Sequence, residues 1–323
     1  MLSWKAFRFV IGRMLILGLF VVLGCMASWA AFLRYHDIQV PLFAFITNPR
    51  VKVFEETLAT GRPFEFTTDF YGLKYKGHSD ELIDARVLAR GGFEKPTLML
   101  MKDLMEALAP AGTFVDIGAN VGQHSLFMSR YAGIIYAFDP YEPVLTRFRE
   151  MIAINNIGNI RIHAVGLGAK NDSIPFFEPP PSNPGAGSFL KDWNSKTTKP
   201  VQMQIVQGDL YFERQGIHDI DLIKIDIEGY EKQALKGLPR TLKNDRPVVV
   251  MELNFGEDPR YRDMADVISS FPDNYLFYNY YPYGMGDEYS LSAVDASSQP
   301  RPRTMLAAIP KEKVPLVRMT NAE

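Results

Sequence analysis

Cysteine is nearly absent from the 323-residue chain: Cys25 stands alone, which excludes an internal disulfide and any cysteine-based zinc site. A single thiol also leaves the redox compartment unread. No His-x-x-x-His pair or carboxylate cluster demands a metal, so the expected chemistry is metal-independent. Excess charge is missing too, with 35 basic against 37 acidic side chains and a net charge of -2. Phosphate-backbone binding needs a concentrated basic face, so no nucleic-acid partner is expected. No internal repeat is evident.

A long apolar run, by contrast, is present. Residues 14–33 contain no formal charge, and about twenty helical residues span a bilayer core. Lys5, Arg8 and Arg13 precede the run, Arg34 and His36 follow it, and Trp29 and Tyr35 are placed for the interface. A cleavable signal peptide is the rival reading, since Ser28-Trp29-Ala30 before Ala31 is small-x-small. The run is long for a signal core, which favours an uncleaved single-pass anchor. Basic residues on the leading flank would put the following domain outside the cytosol, but Arg34, Arg50 and Lys52 weaken that bias and leave the side open.

Residues 113–122, Thr-Phe-Val-Asp-Ile-Gly-Ala-Asn-Val-Gly, read as a buried strand entering a glycine turn that opens a helix. Seventeen residues on, the apolar run 134–138 closes in Asp139. This is the first half of a nucleotide-type site: Gly118 and Gly122 admit a ligand close to backbone, Asn120 lies between them, and Asp139 can accept hydrogen bonds from ribose hydroxyls. The third glycine of the dinucleotide fingerprint is missing, and Asp116 sits within the turn. An acid there suits a cation such as S-adenosylmethionine, with its ammonium and sulfonium, better than a diphosphate.

Strand-like and helix-like segments then alternate. Residues 143–155 have helical apolar spacing with Pro143 in the first turn, and 160–165, 221–227 and 247–253 read as strands. Such alternation predicts an α/β fold with a doubly wound, mostly parallel sheet, whose ligands sit at the carboxyl ends of the strands. Asp116, Asp139, Asp226, Glu228 and Asn254 all fall at those ends. Within 221–231, period two sets Ile223, Ile225 and Ile227 on one face and Leu222, Lys224, Asp226 and Glu228 on the other. Three ionisable groups on one face of a buried strand are costly unless they pair or face a cleft. The alternative is an edge strand with its polar face in water, but Gly229 and the helical spacing of Tyr230, Ala234, Leu235 and Leu238 favour a crossover unit.

Val-Asp-Ile-Gly-Ala-Asn-Val-Gly, Ala-Phe-Asp-Pro and Ile-Lys-Ile-Asp-Ile-Glu-Gly-Tyr-Glu together resemble the FkbM family of S-adenosylmethionine-dependent methyltransferases. The resemblance runs from about Gly72 to the Ala-Ile-Pro near residue 310, and takes in Gly92-Phe93-Glu94 and the stretch 185–190. It implies a class I, Rossmann-like methyltransferase fold and O-methylation of a hydroxyl on a sugar, glycan or other small acceptor. Asp139 departs from the glutamate more usual in the family, though the shorter arm still reaches ribose.

Methyl transfer is an in-line displacement, so alignment supplies much of the rate and a base must take the hydroxyl proton. Asp226 and Glu228 are the leading candidates for base or acceptor positioning, then His124, which is otherwise a first-turn surface histidine. Lys224 would hold a carboxylate ionised or stabilise a developing alkoxide. Glu94 either reaches the methionine end of the donor or complements a helix dipole. Asp209 has a weak claim on adenine or acceptor, and Asn254 on the substrate or a turn.

The expected organisation is an anchor or signal peptide at 1–34, a prefatory region at 35–110, a methyltransferase domain at 111–311 and a loose tail at 312–323. Short strands near 64–66 and 71–75 and a helix at 97–109 belong to the prefatory region. Residues 171–200, rich in proline and glycine, read as a long loop for acceptor selection or as disorder. The aromatic segment 275–283 reads as a strand and cleft wall, or as core. Two rival functions remain: an NAD-dependent oxidoreductase, against which the missing glycine speaks, and a catalytically inactive membrane-tethered binding module, which has no reason to bury so many carboxylates.

Overall fold

The computed structural model of the protein describes residues 63–179, 187–190, 200–283, 286–299 and 304–316. The expected anchor at 14–33 lies outside them, as do residues 35–62 and the end of the tail. Among the described residues no helix is long and apolar enough to cross a membrane.

β1 (Glu65–Phe70) and β2 (Leu73–His78) pair antiparallel across Tyr71-Gly72. Both linking residues have positive φ, 52° and 84°, the two-residue turn whose twist matches its strands. α1 (Leu82–Arg90) stops at Gly91, whose amide reaches back to the Val87 carbonyl in a left-handed cap. α2 (Lys95–Leu108) starts on Pro96 and buries Leu98, Met101, Leu104 and Met105 along one stripe.

Alternation then builds the sheet: β3 (Thr113–Ile117), α3 (Gln123–Met128), β4 (Ile134–Phe138), α4 (Glu142–Ile154) and β5 (Ile160–His163). β6 (Gly166–Gly168), β7 (Asp172–Phe176) and β8 (Val201–Gln207) form a separate small sheet in the order β6-β8-β7. After α5 (Gly208–Gln215) come β9 (Ile220–Ile225), α6 (Glu231–Lys236), α7 (Pro239–Asn244), β10 (Val248–Glu252), α8 (Met264–Ile268), β11 (Tyr275–Tyr280), β12 (Ser292–Val294) and β13 (Met305–Pro310). The main sheet has the order β12-β11-β13-β10-β9-β3-β4-β5. β10, β9, β3, β4 and β5 are parallel, and β13 runs against both of its neighbours. This is the doubly wound, mostly parallel arrangement expected.

β9 lies between β3 and β10, so the edge-strand alternative fails. Its Leu222 joins Phe114, Leu98, Leu100 and Val248 in one core, while Ile223 and Ile225 join Val115, Ile117 and Val249 in the other. Period two therefore turns Lys224 toward the face that α2 covers, and α2 packs on β9. Residues of the prefatory hairpin and of α1 join the same core as Leu222 on that side of the sheet.

Two expectations need correction. Residues 171–200 are not one loop, since β7 pairs with β8 in register from Asp172↔Ile205 to Phe176↔Val201. Pro175 was the misleading residue: β7 is the edge of its sheet, where a missing amide is tolerated. Nor is the tail loose from residue 312, because Glu312 ion-pairs with Arg246 and Lys313 donates to the Arg246 carbonyl at 2.7 Å.

Candidate functional site

The amides of Gly118 and Ala119 both donate to the Phe138 carbonyl, at 2.9 and 3.0 Å, so the exits of β3 and β4 close on each other. Gly118, Asn120 and Gly122 all have positive φ, at 83°, 53° and 83°. A Cβ on Gly118 would overlap the Asp226 carbonyl oxygen, so glycine is required where the exit of β9 passes the turn. Gly122 answers to a different constraint. A Cβ there would enter the ring of Phe148, and Gly122 does not line the cleft. Glycine there thus permits the close packing of α3 on α4.

These exits bound a cleft of about 320 Å³ that Gly118, Asn120, Asp139, Lys224, Asp226 and Glu228 line together with Glu94 and His124. At one end, the two Asp139 oxygens accept from the backbone amides of Asn120 (3.0 Å) and Tyr141 (2.9 Å). Burial pushes the Asp139 carboxyl up to about 6, with those amides working in the opposite direction. Each oxygen keeps a lone pair for a ligand hydroxyl.

Lys224, 2% exposed, sits under the middle of the cleft. Its Nζ donates to the Gly118 carbonyl at 3.0 Å and lies 3.4 Å from Asp226 Oδ2 and 3.6 Å from Asp116 Oδ1. Burial would lower its pKa, but Asp226, Asp116 and Glu94 outweigh that and hold it raised. Asp116 is wholly buried and does not reach the cleft; its other oxygen accepts from Ser125 Oγ at 2.6 Å. It stands behind the turn as the counter-ion of Lys224.

The other end is crowded with acids. Burial raises Glu228 well above the usual carboxylate range, helped by Asp226, Glu231 and Glu94. Glu252, raised by burial and then by Asp226 and Glu228, also lines the cleft. Glu228 has φ 54°, and its carbonyl accepts from the buried Ser188 hydroxyl at 2.9 Å. Asp226 is the cleft carboxylate with an ammonium partner, and its side chain is 25% exposed.

Glu94 precedes α2 with φ 49°, held there by Gln123, whose side-chain amide accepts from the Phe93 N–H (2.7 Å) and donates to the Phe93 carbonyl (3.2 Å). Burial, then the Asp226 charge, pushes Glu94 up to about 8, and burial drives His124 well below its ordinary value. Glu94 Oε2 and His124 Nε2 are 3.6 Å apart, yet this is not an ion pair near neutral pH, since both shifts favour the uncharged forms. Both atoms are buried without a hydrogen-bond partner among the described residues. Buried polar atoms of this kind point to a ligand group that pairs with them.

The remaining candidates lie elsewhere. Asp209 accepts from Thr241 N–H and Oγ and from Arg240 N–H, tying α5 to the start of α7. Asn254 donates to Glu252 Oε2 at 2.6 Å and so holds a cleft residue instead of lining the cleft. Sequence reasoning missed Glu252 although it closes β10 as Asp139 closes β4. It also missed Arg86, Gln123 and Tyr141, for which no local signal exists.

Fold and cleft define the class first: a methyltransferase-like α/β protein whose glycine turn and carboxylates meet at the carboxyl rim of a mostly parallel sheet. The Methyltransferase FkbM domain, as a sequence family, matches residues 116–279, and the chain belongs to that family. Over 166 residues it is 27% identical to hexuronic acid methyltransferase AglP of Haloferax volcanii, covering 51% of this chain and 65% of that one. It is 25% identical to 2-O-methyltransferase NoeI of Sinorhizobium fredii, covering 56% and 82%. The chain thus spans just under two thirds of the Haloferax protein's length. Among solved structures, the FkbM methyltransferase of Methylobacillus flagellatus KT is similar with a TM-score of 0.40 and 18% identity, covering 61% of this chain and 43% of that one.

Proposed function

We propose that the protein is an S-adenosylmethionine-dependent O-methyltransferase acting on a hydroxyl of a sugar, glycan or other small acceptor. One observation carries the reading: the carboxylates of β9's polar face open into the same cleft as the glycine turn and Asp139. The names of two relatives, a hexuronic acid methyltransferase and a 2-O-methyltransferase, support a sugar hydroxyl.

The residues suit such a donor. Asp139 would hold the ribose hydroxyls, and Gly118 and Asn120 present backbone beside it. Glu94 and His124, with their buried atoms awaiting partners, would take the ammonium. When bound, the donor supplies a methyl group activated on a sulfonium. Asp226, paired with Lys224 and facing the cleft, would accept the acceptor hydroxyl's proton as the oxygen attacks, and Glu228 would orient that hydroxyl. Lys224 keeps the pair fixed through Gly118 and Asp116. Shielding from water by α1 and α2 strengthens every one of these contacts.

For localisation, we read residues 14–33 as a single-pass anchor. Their apolar length and basic leading flank support it. The function is tested by incubating the full chain with isotopically labelled donor and fractionated cell extract. Label in a hydroxyl-bearing saccharide is expected; label on nitrogen or carbon alone, or stabilisation by NAD instead of the methyl donor, would overturn the reading.

A further inference from the structure

Aromatic rings lead from the acid end of the cleft to the surface. Phe93 and Tyr283 both line the cleft with centroids 6.2 Å apart, and Tyr283 meets Tyr281 edge-on at 5.7 Å. β11 ends at Tyr280, 2% exposed and part of the core, whereas Tyr281 beyond it is 50% exposed. The buried Arg86 braces the inner two rings, its guanidinium carbon 5.1 Å from the Phe93 centroid and 5.7 Å from that of Tyr283. Tyr283 lies in the fields of Glu94, Glu252 and Asp226. Flat apolar faces and carboxylates thus share one wall.

That mixture matches a pyranose ring, which has a C–H face to stack and a rim of hydroxyls to donate. A purely apolar chain would set the Glu228 carboxyl against hydrocarbon and strip water from Glu252, at a cost. A nucleic acid would bring phosphates to an acid-rich wall, and the chain has no basic excess to offset them. Length follows from position. Tyr281 is outside the cleft lining, exposed, and one ring beyond Tyr283, so it extends the wall past the cleft mouth where a second unit would lie.

We propose that Phe93, Tyr283 and Tyr281 form a track for an oligosaccharide acceptor of two or more units, the unit to be methylated lying at Asp226 and the next stacking on Tyr283 and Tyr281. This rests on the O-methyltransferase reading above and specifies its substrate class. The full chain, in detergent with adenosylhomocysteine present, is applied to an array of mono- to hexasaccharides of neutral, deoxy and uronic acid sugars, with labelled RNA as a further probe. Binding is expected for disaccharides and longer members, falling about tenfold in Tyr281→Ala and kept in Tyr281→Phe. Binding by monosaccharides alone, an unchanged Tyr281→Ala, no saccharide binding, or a preference for RNA would each overturn the track. Thermal stabilisation by adenosylhomocysteine, read separately, distinguishes the two failures: its loss in the native chain defeats the donor reading, while its retention beside a failed array defeats only the track.

Discussion

Replacing Glu94 by Gln tests how the cleft recognises a cation. In the folded protein burial and the Asp226 charge lift this carboxyl to about 8, so at pH 7 it is mostly protonated. Pairing with an ammonium requires the ionised form. Removing the proton at pH 7 costs on the order of 1 kcal/mol, and that cost falls away as pH rises through 8. The surrounding groups are Lys224 from β9, Asp226 just beyond it, Arg86 from α1 and His124 from α3. His124, held well below its ordinary value, stays neutral in this range. Titration calorimetry of adenosylhomocysteine binding at pH 7, in buffers of different ionisation enthalpy, should show more protons released by the native chain than by Glu94→Gln, the difference being at most about one. Affinity of the native chain should strengthen with pH, and the variant should lose most of that dependence. Equal proton release in the two proteins would refute the pairing of Glu94 with the ligand.

Three further outcomes are expected. Asp226→Asn should abolish transfer of labelled methyl while leaving the Kd for adenosylhomocysteine within a few fold; unimpaired turnover would remove Asp226 from the mechanism. Arg147→Met should lower stability by about 3 kcal/mol, roughly 10 °C in Tm by scanning calorimetry, because Asp84, 1% exposed, loses its cation while still bound to the Tyr75 hydroxyl and the His78 amide. Without ligand, Tm followed by fluorimetry should fall as pH rises from about 6 to about 8: Asp139, Glu231 and Glu94 have raised folded values near 6, 7 and 8, so their stabilisation is full below the unfolded carboxylate range and lost on ascending through those values. A Tm flat or rising over that window would contradict the burial of these acids.

Local pattern made the central part of this protein legible. The runs 113–117, 134–138 and 220–225 are buried parallel strands, and such strands advertise themselves by dense apolar residues interrupted only where a charge has a purpose. Lys224 is the clearest case, since its cost in the core is understandable only with Asp116 and Asp226 beside it. Residues brought in by topology were not legible. Arg86 reaches the cleft from α1, which no local spacing announces, whereas Tyr283 lies in the aromatic segment 275–283 that the sequence offers as a strand and cleft wall, and Phe93 within the Gly92-Phe93-Glu94 stretch. Period and motif set Asp116 and Gly122 in the turn, while their packing partners, Lys224 and Phe148, come from elsewhere in the chain and are not announced by it. Pro175 concealed β7 because edge and interior strands obey different rules.

A crystal structure of the full chain with adenosylhomocysteine examines the central claim most directly. The adenosyl group should lie over Gly118 and Asn120 with ribose hydroxyls on Asp139, and the ammonium should meet Glu94 and His124, leaving the sulfur facing Asp226. A ligand bound elsewhere, or Asp139 and Asp226 turned away from it into bulk water, would contradict the claim.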